Sequence, residues 1–285
     1  MTIKVITDST SYIPEALREE YDISVVSLSV VFGDEAFKEV DISNEWFFKK
    51  LEVDKKIPTS SQPSINDLFK LFEEHVKKGD EIVGVFISSD MSGTYSTALT
   101  VKNMILDDYP HAKIEIIDSR SNCMQLGFAA LAAAKVAKAG GTFEAAILSA
   151  KENIERSRFV FIPDTLEYLR IGGRIGTASA LVGSLLQIKP VLTVADGKTH
   201  LLDKVRTKKR ALNEIANIFY DNIKQFGLGD VIVHHINCED QALELAQSLE
   251  IEIGRKVAIC PLGPVIGTHV GPGALGIAYY TMEKM

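Results

Sequence analysis

"EIVGVFISSDMSGTYSTALTVKNMILDDYPHAKIEIIDS", residues 81–119, decides the fold class. It opens on an apolar, β-branched run (81–88) and closes on another (112–119), with a polar turn and a helical pattern to about Leu106 between them. Two such runs joined through a helix read as strand, helix, strand, and a crossover of that kind makes the two strands parallel. Outward from it, "IKVITDS" (3–9) reads as a strand, with Pro14 opening the helix "PEALREEY", since proline suits the first helical position. "MQLGFAALAAAKVAKAGG" (124–141) reads as a helix ending on Lys138 and a glycine pair, and "FVFIP" (159–163) as a fourth strand. The pattern predicts an α/β fold whose N-terminal half is a mainly parallel sheet with helices on both faces.

The second half has another style. "KPVLTVADGKTHLLDKVR" (189–206) places two strand-like runs around "ADGK", a hairpin signal. A helix from about Lys208 to Lys224, a strand "DVIVHHIN", a helix "EDQALELAQSLEI" and a last strand "KVAICPL" follow, a mixed α+β arrangement. The change falls near 163–175, which suggests two domains, 1–165 and 166–285, with a less regular excursion over about 34–62 carrying Trp46.

Composition narrows the function. The 285 residues carry a net charge of −7, which disfavours nucleic acid, whose recognition rests on clustered Lys and Arg. Three cysteines stand far apart without C-x-x-C spacing, so neither a metal cluster nor a disulfide framework is expected, and they read as reduced core residues. The N-terminus turns polar too early for a signal peptide and no run approaches the roughly 18 apolar residues of a membrane span. A cytoplasmic protein with at most transient membrane contact is expected.

Ligands in open parallel sheets sit beyond the carboxyl ends of the strands. Three loops expected there bear hydroxyls, "TDSTS" (7–11), "SSDMSGTYS" (88–96) and "DSRS" (118–121), and "PTSSQPS" (58–64) precedes a further helix. Hydroxyls beside free N–H groups at a helix start suit a small carboxylate or phosphate. Serine and threonine are also common N-caps, which accounts for any one loop by itself. "GPGALG" (271–276) lies too near the C-terminus to be a dinucleotide fingerprint, and no P-loop, nucleophile elbow or H-E-x-x-H pair occurs. His234 and His235 should point to opposite faces of their strand, one to the core and one to the surface. His269 sits among glycines in "VIGTHVGPG", read as a loop after the last strand, where it could donate to an anion or act as a base. Arg174 in "LRIGGRIG" and Arg206 in "DKVRTKKR" could clamp a phosphate or dock an acidic partner.

Taken in order, "ITDST", "PTSSQPS", "SSDMSGTYSTA", "IDSRS", "LEYLRIGGRIG", "KPVL", "KVRTKKRA" and "GTHVGPGALG" resemble, end to end, the DegV family of fatty-acid-binding proteins, the lipid-carrying subunits of bacterial fatty acid kinase. The resemblance implies a fatty acid held between the two domains, its carboxylate bound by Ser60, Ser92 and His269, with further polar contacts from Ser61, Gly93, Thr94, Ser96 and Thr268. Ser60 stands where the family usually has threonine; the hydroxyl remains without the methyl that would fix its rotamer. Arg174 and Arg206 map to positions associated with the kinase or the acyl-phosphate. The resemblance implies no turnover by the chain itself and no cofactor or metal: the fatty acid is the ligand and a separate kinase subunit the partner. The apolar stretch 178–194 and the alanine-rich helix after Cys123 are candidates for the tail tunnel, beside plain core packing. Two rival readings are a serine hydrolase with Ser92 as nucleophile and His269 as base, and a docking protein acting through the Arg174 and Arg206 surface alone.

Overall fold

The computed structural model describes residues 2–181 and 188–285. The strands are β1 (Ile3–Asp8), β2 (Ser24–Val26), β3 (Ser29–Phe32), β4 (Glu35–Lys38), β5 (Thr59–Ser61), β6 (Glu81–Phe86), β7 (Ile114–Asp118), β8 (Ser157–Ile162), β9 (Lys189–Ala195), β10 (Lys198–Val205), β11 (Leu228–His235), β12 (Ala258–Pro261) and β13 (Leu275–Thr281). The helices are α1 (Glu15–Glu20), α2 (Asn44–Asp54), α3 (Ile65–Lys77), α4 (Thr94–Asp108), α5 (Cys123–Lys138), α6 (Phe143–Arg156), α7 (Glu167–Ile171), α8 (Lys208–Phe226), α9 (Glu239–Ile253) and α10 (Pro264–Val270).

Residues 81–119 fold as read: β6 and β7 pair in parallel with α4 between them. They belong to a four-stranded parallel sheet in the order β2-β1-β6-β7. Its central strands β1 and β6 are buried along nearly their whole length, because helices cover both faces. On one side α3 and α4 pack over Ile6, Ile82, Phe86 and Ile116. On the other lies α5, whose run of buried alanines lets it contact β1 and β6 with one flank and β8 and β13 with the other. The second sheet, in the order β10-β9-β8-β13-β11-β12, is antiparallel except for β11 with β12. Its far face is closed by α8 and α9, with Phe219 of α8 packed in one cluster with Val160, Val233 and Tyr279 of the strands. The hairpin β9–β10 turns on Asp196 and Gly197, both at positive φ (48° and 78°), as the Asp-Gly signal predicts.

Several expectations need correction. The strand at 157–162 is not a fourth member of the first sheet; it pairs with β13 and β9 in the second, so the chain crosses between the sheets before Ser157 rather than near 165. The segment 34–62 is regular: β4 and β5 flank β3 in an antiparallel sheet, and α2 carries Trp46. The last strand is β13, absent from the sequence reading, and "PVIGTHV" is the helix α10 rather than a loop. Glycine there answers a packing demand, because a Cβ on Gly267 would meet the Phe47 ring at 3.1 Å. His234 and His235 are both buried, at 0% and 6% exposure, since both faces of β11 are covered. Of the cysteines, Cys123 is buried while Cys238 and Cys260 are half-buried, all three as free thiols.

Candidate functional site

Four elements converge on one cavity between the two sheets. Ser60 is the middle residue of β5, held by its pairing opposite Val30 on β3. Ser92 lies in the tight turn before α4, where its backbone N–H donates to the Ser88 carbonyl. His269 is in the last turn of α10, and Arg174 follows α7. All four side chains line the same cavity, together with apolar walls that include Ile87, Phe159, Phe161, Val194, Leu262 and Val265. Its free volume is about 50 Å³, below the usual range for a small-molecule site, so a larger ligand has to spread the walls. The Phe159 and Phe161 rings stack at 5.0 Å, and Gly276 makes room for them, because a Cβ there would stand 2.5 Å from the Phe159 ring.

At the polar end, Ser60 Oγ lies 2.7 Å from His269 Nε2. His269 Nδ1 is buried without a partner among the described residues and faces Gly172, where a Cβ would come within 2.3 Å of it. A proton on that nitrogen would be stranded, so the favoured neutral tautomer carries it on Nε2 and donates to Ser60. The Ser60 hydroxyl hydrogen is then free for a ligand. Burial, reinforced by the positive Arg174, pushes the imidazole down to about 4, so it is neutral at physiological pH. Ser92 Oγ is 2.9 Å from Thr94 Oγ1 and accepts from the Thr94 N–H at 3.3 Å. It therefore sits on the positive end of α4, which favours an anion. Arg174 donates from Nε to the Met91 carbonyl at 3.0 Å and from Nη1 to the Gly172 carbonyl at 2.6 Å, setting one guanidinium at the cavity rim.

The other sequence candidates are dispersed. Thr94 is buried against Ser92, and the Thr268 hydroxyl is spent on the Pro264 carbonyl within α10. Ser61 and Ser96 are exposed, and neither they nor Gly93 line the cavity. Arg206 is exposed, away from the cavity lining. Two of the four hydroxyl loops do not line the cavity. In "TDSTS", Asp8 ties the loop to the first sheet by accepting from Thr10 and from the Ile87 N–H at 2.7 Å. In "DSRS", Arg120 pairs with Asp90 at 2.6 Å and donates to the Asp196 carbonyl of the hairpin tip. From the stretch 178–194, Val194 lines the cavity, while 182–187 lie outside the described residues. The alanine-rich helix α5 serves the core instead.

Sequence reading missed three supports. Gln62, next to the Ser60 motif, lies against Gly93, whose Cβ would collide with it, and donates to Thr97 Oγ1 at 2.7 Å. Glu39 and Tyr12 hold α10: Glu39 Oε1 accepts from Tyr12 Oη at 2.6 Å and from the Val265 N–H at 2.9 Å. Burial raises the Glu39 carboxyl and drives the Tyr12 phenol far above its ordinary value. Only the buried acid's lack of an obvious partner in sequence concealed them.

The model of the family described as "Uncharacterised protein, DegV family" matches residues 2–282. The chain belongs to the DegV family. A DegV domain-containing protein of Clostridium acetobutylicum is 55% identical to it over 285 residues, all of both chains. Among solved structures, DegV of Bacillus subtilis, a fatty acid binding protein, superposes with a TM-score of 0.89 at 34% identity, over 99% of each chain. A stearic acid-binding protein of Eubacterium ventriosum gives 0.90 at 26% identity over 98% of each. The likeness of fold thus extends over the whole chain, all three sheets included. The serine-hydrolase arrangement lacks its central contact, because His269 Nε2 engages Ser60 and Ser92 engages Thr94. Among the described residues, no helix is long and apolar enough to cross a membrane and no group of three acidic, cysteine or histidine side chains could hold a metal ion.

Proposed function

We propose that this DegV protein binds a long-chain fatty acid, its tail in the apolar cavity and its carboxylate at Ser60, Ser92 and His269, and presents that head to a separate ATP-dependent kinase for acyl-phosphate formation. The observation that carries the reading is the Ser60–His269 pair at 2.7 Å, lining with Ser92 and Arg174 a mainly apolar cavity. Burying a chain of roughly 14 methylenes contributes on the order of 11 kcal/mol before ordering costs, at about 0.8 kcal/mol for each. The tail then supplies the affinity and the donors orient the head. Hydroxyl donors, with that of Ser60 oriented by the neutral imidazole of His269, leave a carboxylate oxygen nucleophilic, whereas a bidentate ion pair would hold both oxygens. Arg174, at the rim, and the exposed Arg206 are the proposed contacts to the kinase or to the phosphate. The chain performs no turnover in this scheme, and a cytoplasmic setting follows from a soluble partner that holds ATP.

Protein purified under native conditions, extracted with denaturing solvent and weighed by mass spectrometry, should release about one fatty acid per chain. Lipid-free protein that also takes up no added fatty acid overturns the reading. Transfer of phosphate from ATP to the bound acid only when the kinase is added tests the presentation step.

A further inference from the structure

One polar group in the cavity is unused by that reading. Asn122 occupies the N-cap position of α5, where an asparagine commonly accepts from the second or third backbone N–H of the helix, yet it makes no capping bond. The Met124 N–H goes instead to His234 Nε2 at 3.2 Å, and His234 Nδ1 meets the Cys260 carbonyl at 3.0 Å. Those two bonds fix the tautomer of His234 and exhaust it, so that ring offers a ligand nothing. The amide of Asn122, released from capping, turns to the cavity wall. There Nδ2 faces the Met91 sulfur at 3.3 Å, a weak acceptor. Oδ1 is buried without a partner among the described residues, on a side chain in a residue only 9% exposed. The opposite assignment of the amide would turn the oxygen onto the sulfur lone pairs, so the amide group left without a partner, on a residue that lines the cavity, is the acceptor.

A buried amide oxygen lacking a donor destabilises the empty protein, and whatever brings an O–H to it recovers that loss on binding. An ionised carboxylate has no proton to give, so the head group is the wrong partner. Met91 places the site along the tail: its carbonyl takes Arg174 at the head end and its side chain reaches Asn122. Asn122 therefore faces the carboxyl-proximal half of the chain. We infer that Asn122 reads a hydroxyl on the acyl chain, and that the cavity favours a long-chain acid bearing one O–H in that half over the unsubstituted acid. The inference rests on the fatty-acid reading.

The test is calorimetric titration of delipidated protein with stearic acid and with monohydroxystearic acids carrying the hydroxyl at successive carbons. The expected result is one position, or two neighbouring ones, binding about tenfold tighter than stearic acid, the worth of one satisfied buried acceptor. In Asn122→Leu that ratio should fall to about one; Asn122→Ala serves if the leucine variant does not fold. Stearic acid binding with no hydroxy isomer preferred shows that a buried water already satisfies Oδ1 and overturns this inference alone. Failure of stearic acid and every isomer to bind overturns the fatty-acid reading as well. A preference that survives in both variants removes Asn122 from the role.

Discussion

Replacing Gly172 by alanine tests the head-group site without touching any residue proposed to bind the ligand. Gly172 has φ −71°, a backbone conformation alanine adopts freely, so the substitution acts through space alone. The new methyl would sit 2.3 Å from His269 Nδ1 and 3.1 Å from the Tyr168 carbonyl. Carbon and nitrogen do not approach within about 3 Å unless bonded, so the ring must retreat by most of an ångström. It cannot slide toward Ser60, already 2.7 Å away, and has to rotate, which breaks the Ser60–His269 bond. The Ser60 hydroxyl then loses the donor that turns its hydrogen toward the ligand; losing its hydrogen bond to a charged head group costs about 1.5–3 kcal/mol, so the dissociation constant for stearic acid should rise roughly 10- to 150-fold. Isothermal titration of delipidated protein measures it, with far-ultraviolet circular dichroism confirming the fold. Affinity within twofold of the parent, in a folded G172A protein, would refute the idea that His269 sets Ser60 for the carboxylate.

Imidazole resonances of His234 and His269, followed by nuclear magnetic resonance, should titrate at about 4, because burial opposes the charged form of each; a midpoint above 6 for either contradicts that cause. The unfolded chain takes up these protons near 6.5, so each histidine's share of stability is intact above that pH and is lost as the pH falls toward 4, by about 3 kcal/mol apiece. Glu39→Ala leaves the Tyr12 hydroxyl and the Val265 N–H unpaired in the core and should lower unfolding free energy by about 3 kcal/mol, against about 1 for Glu39→Gln, which keeps an acceptor oxygen. Urea denaturation followed by the fluorescence of Trp46 gives both values, and equal losses would show that Glu39 does not tether α10.

The parallel sheet, the hairpin and several helices were legible because each is written locally, in apolar runs, in Asp196-Gly197, and in caps such as Ser64, whereas α6 behind its Thr142 cap went unread. The partnership of β8 was not, since an apolar strand reads the same in either sheet, and its antiparallel neighbour β13 lies over a hundred residues later. α10 was hidden by its glycine, which serves the packing of Phe47 and Phe48 rather than a turn. Ser60, Ser92 and His269 were named from motif order, and folding brings them to one cavity. Asn122, Glu39 and Gln62 were not named, because a polar residue at a cap or in a turn carries the same signature whether or not its side chain is diverted elsewhere.

The hairpin tip ties the cavity wall to the loops after β6 and β7. Val194 and Thr199 on its two strands form part of the cavity wall, while its turn is fastened across to the other sheet by Ser88 Oγ on the Gly197 carbonyl at 2.7 Å and by Arg120 on the Asp196 carbonyl. Arg120 is itself held by Asp90 and Asp118, and Lys198 reaches Asp90 at 3.5 Å. The flank of the cavity is thus fastened by a clasp of partly exposed charges, and such charges loosen in salt. If a tail leaves sideways, through that flank, its departure rate should climb with ionic strength while a tail leaving lengthwise past Arg174 would ignore the clasp; stopped-flow release of a fluorescent fatty acid, with and without Arg120→Ala, tells the two routes apart.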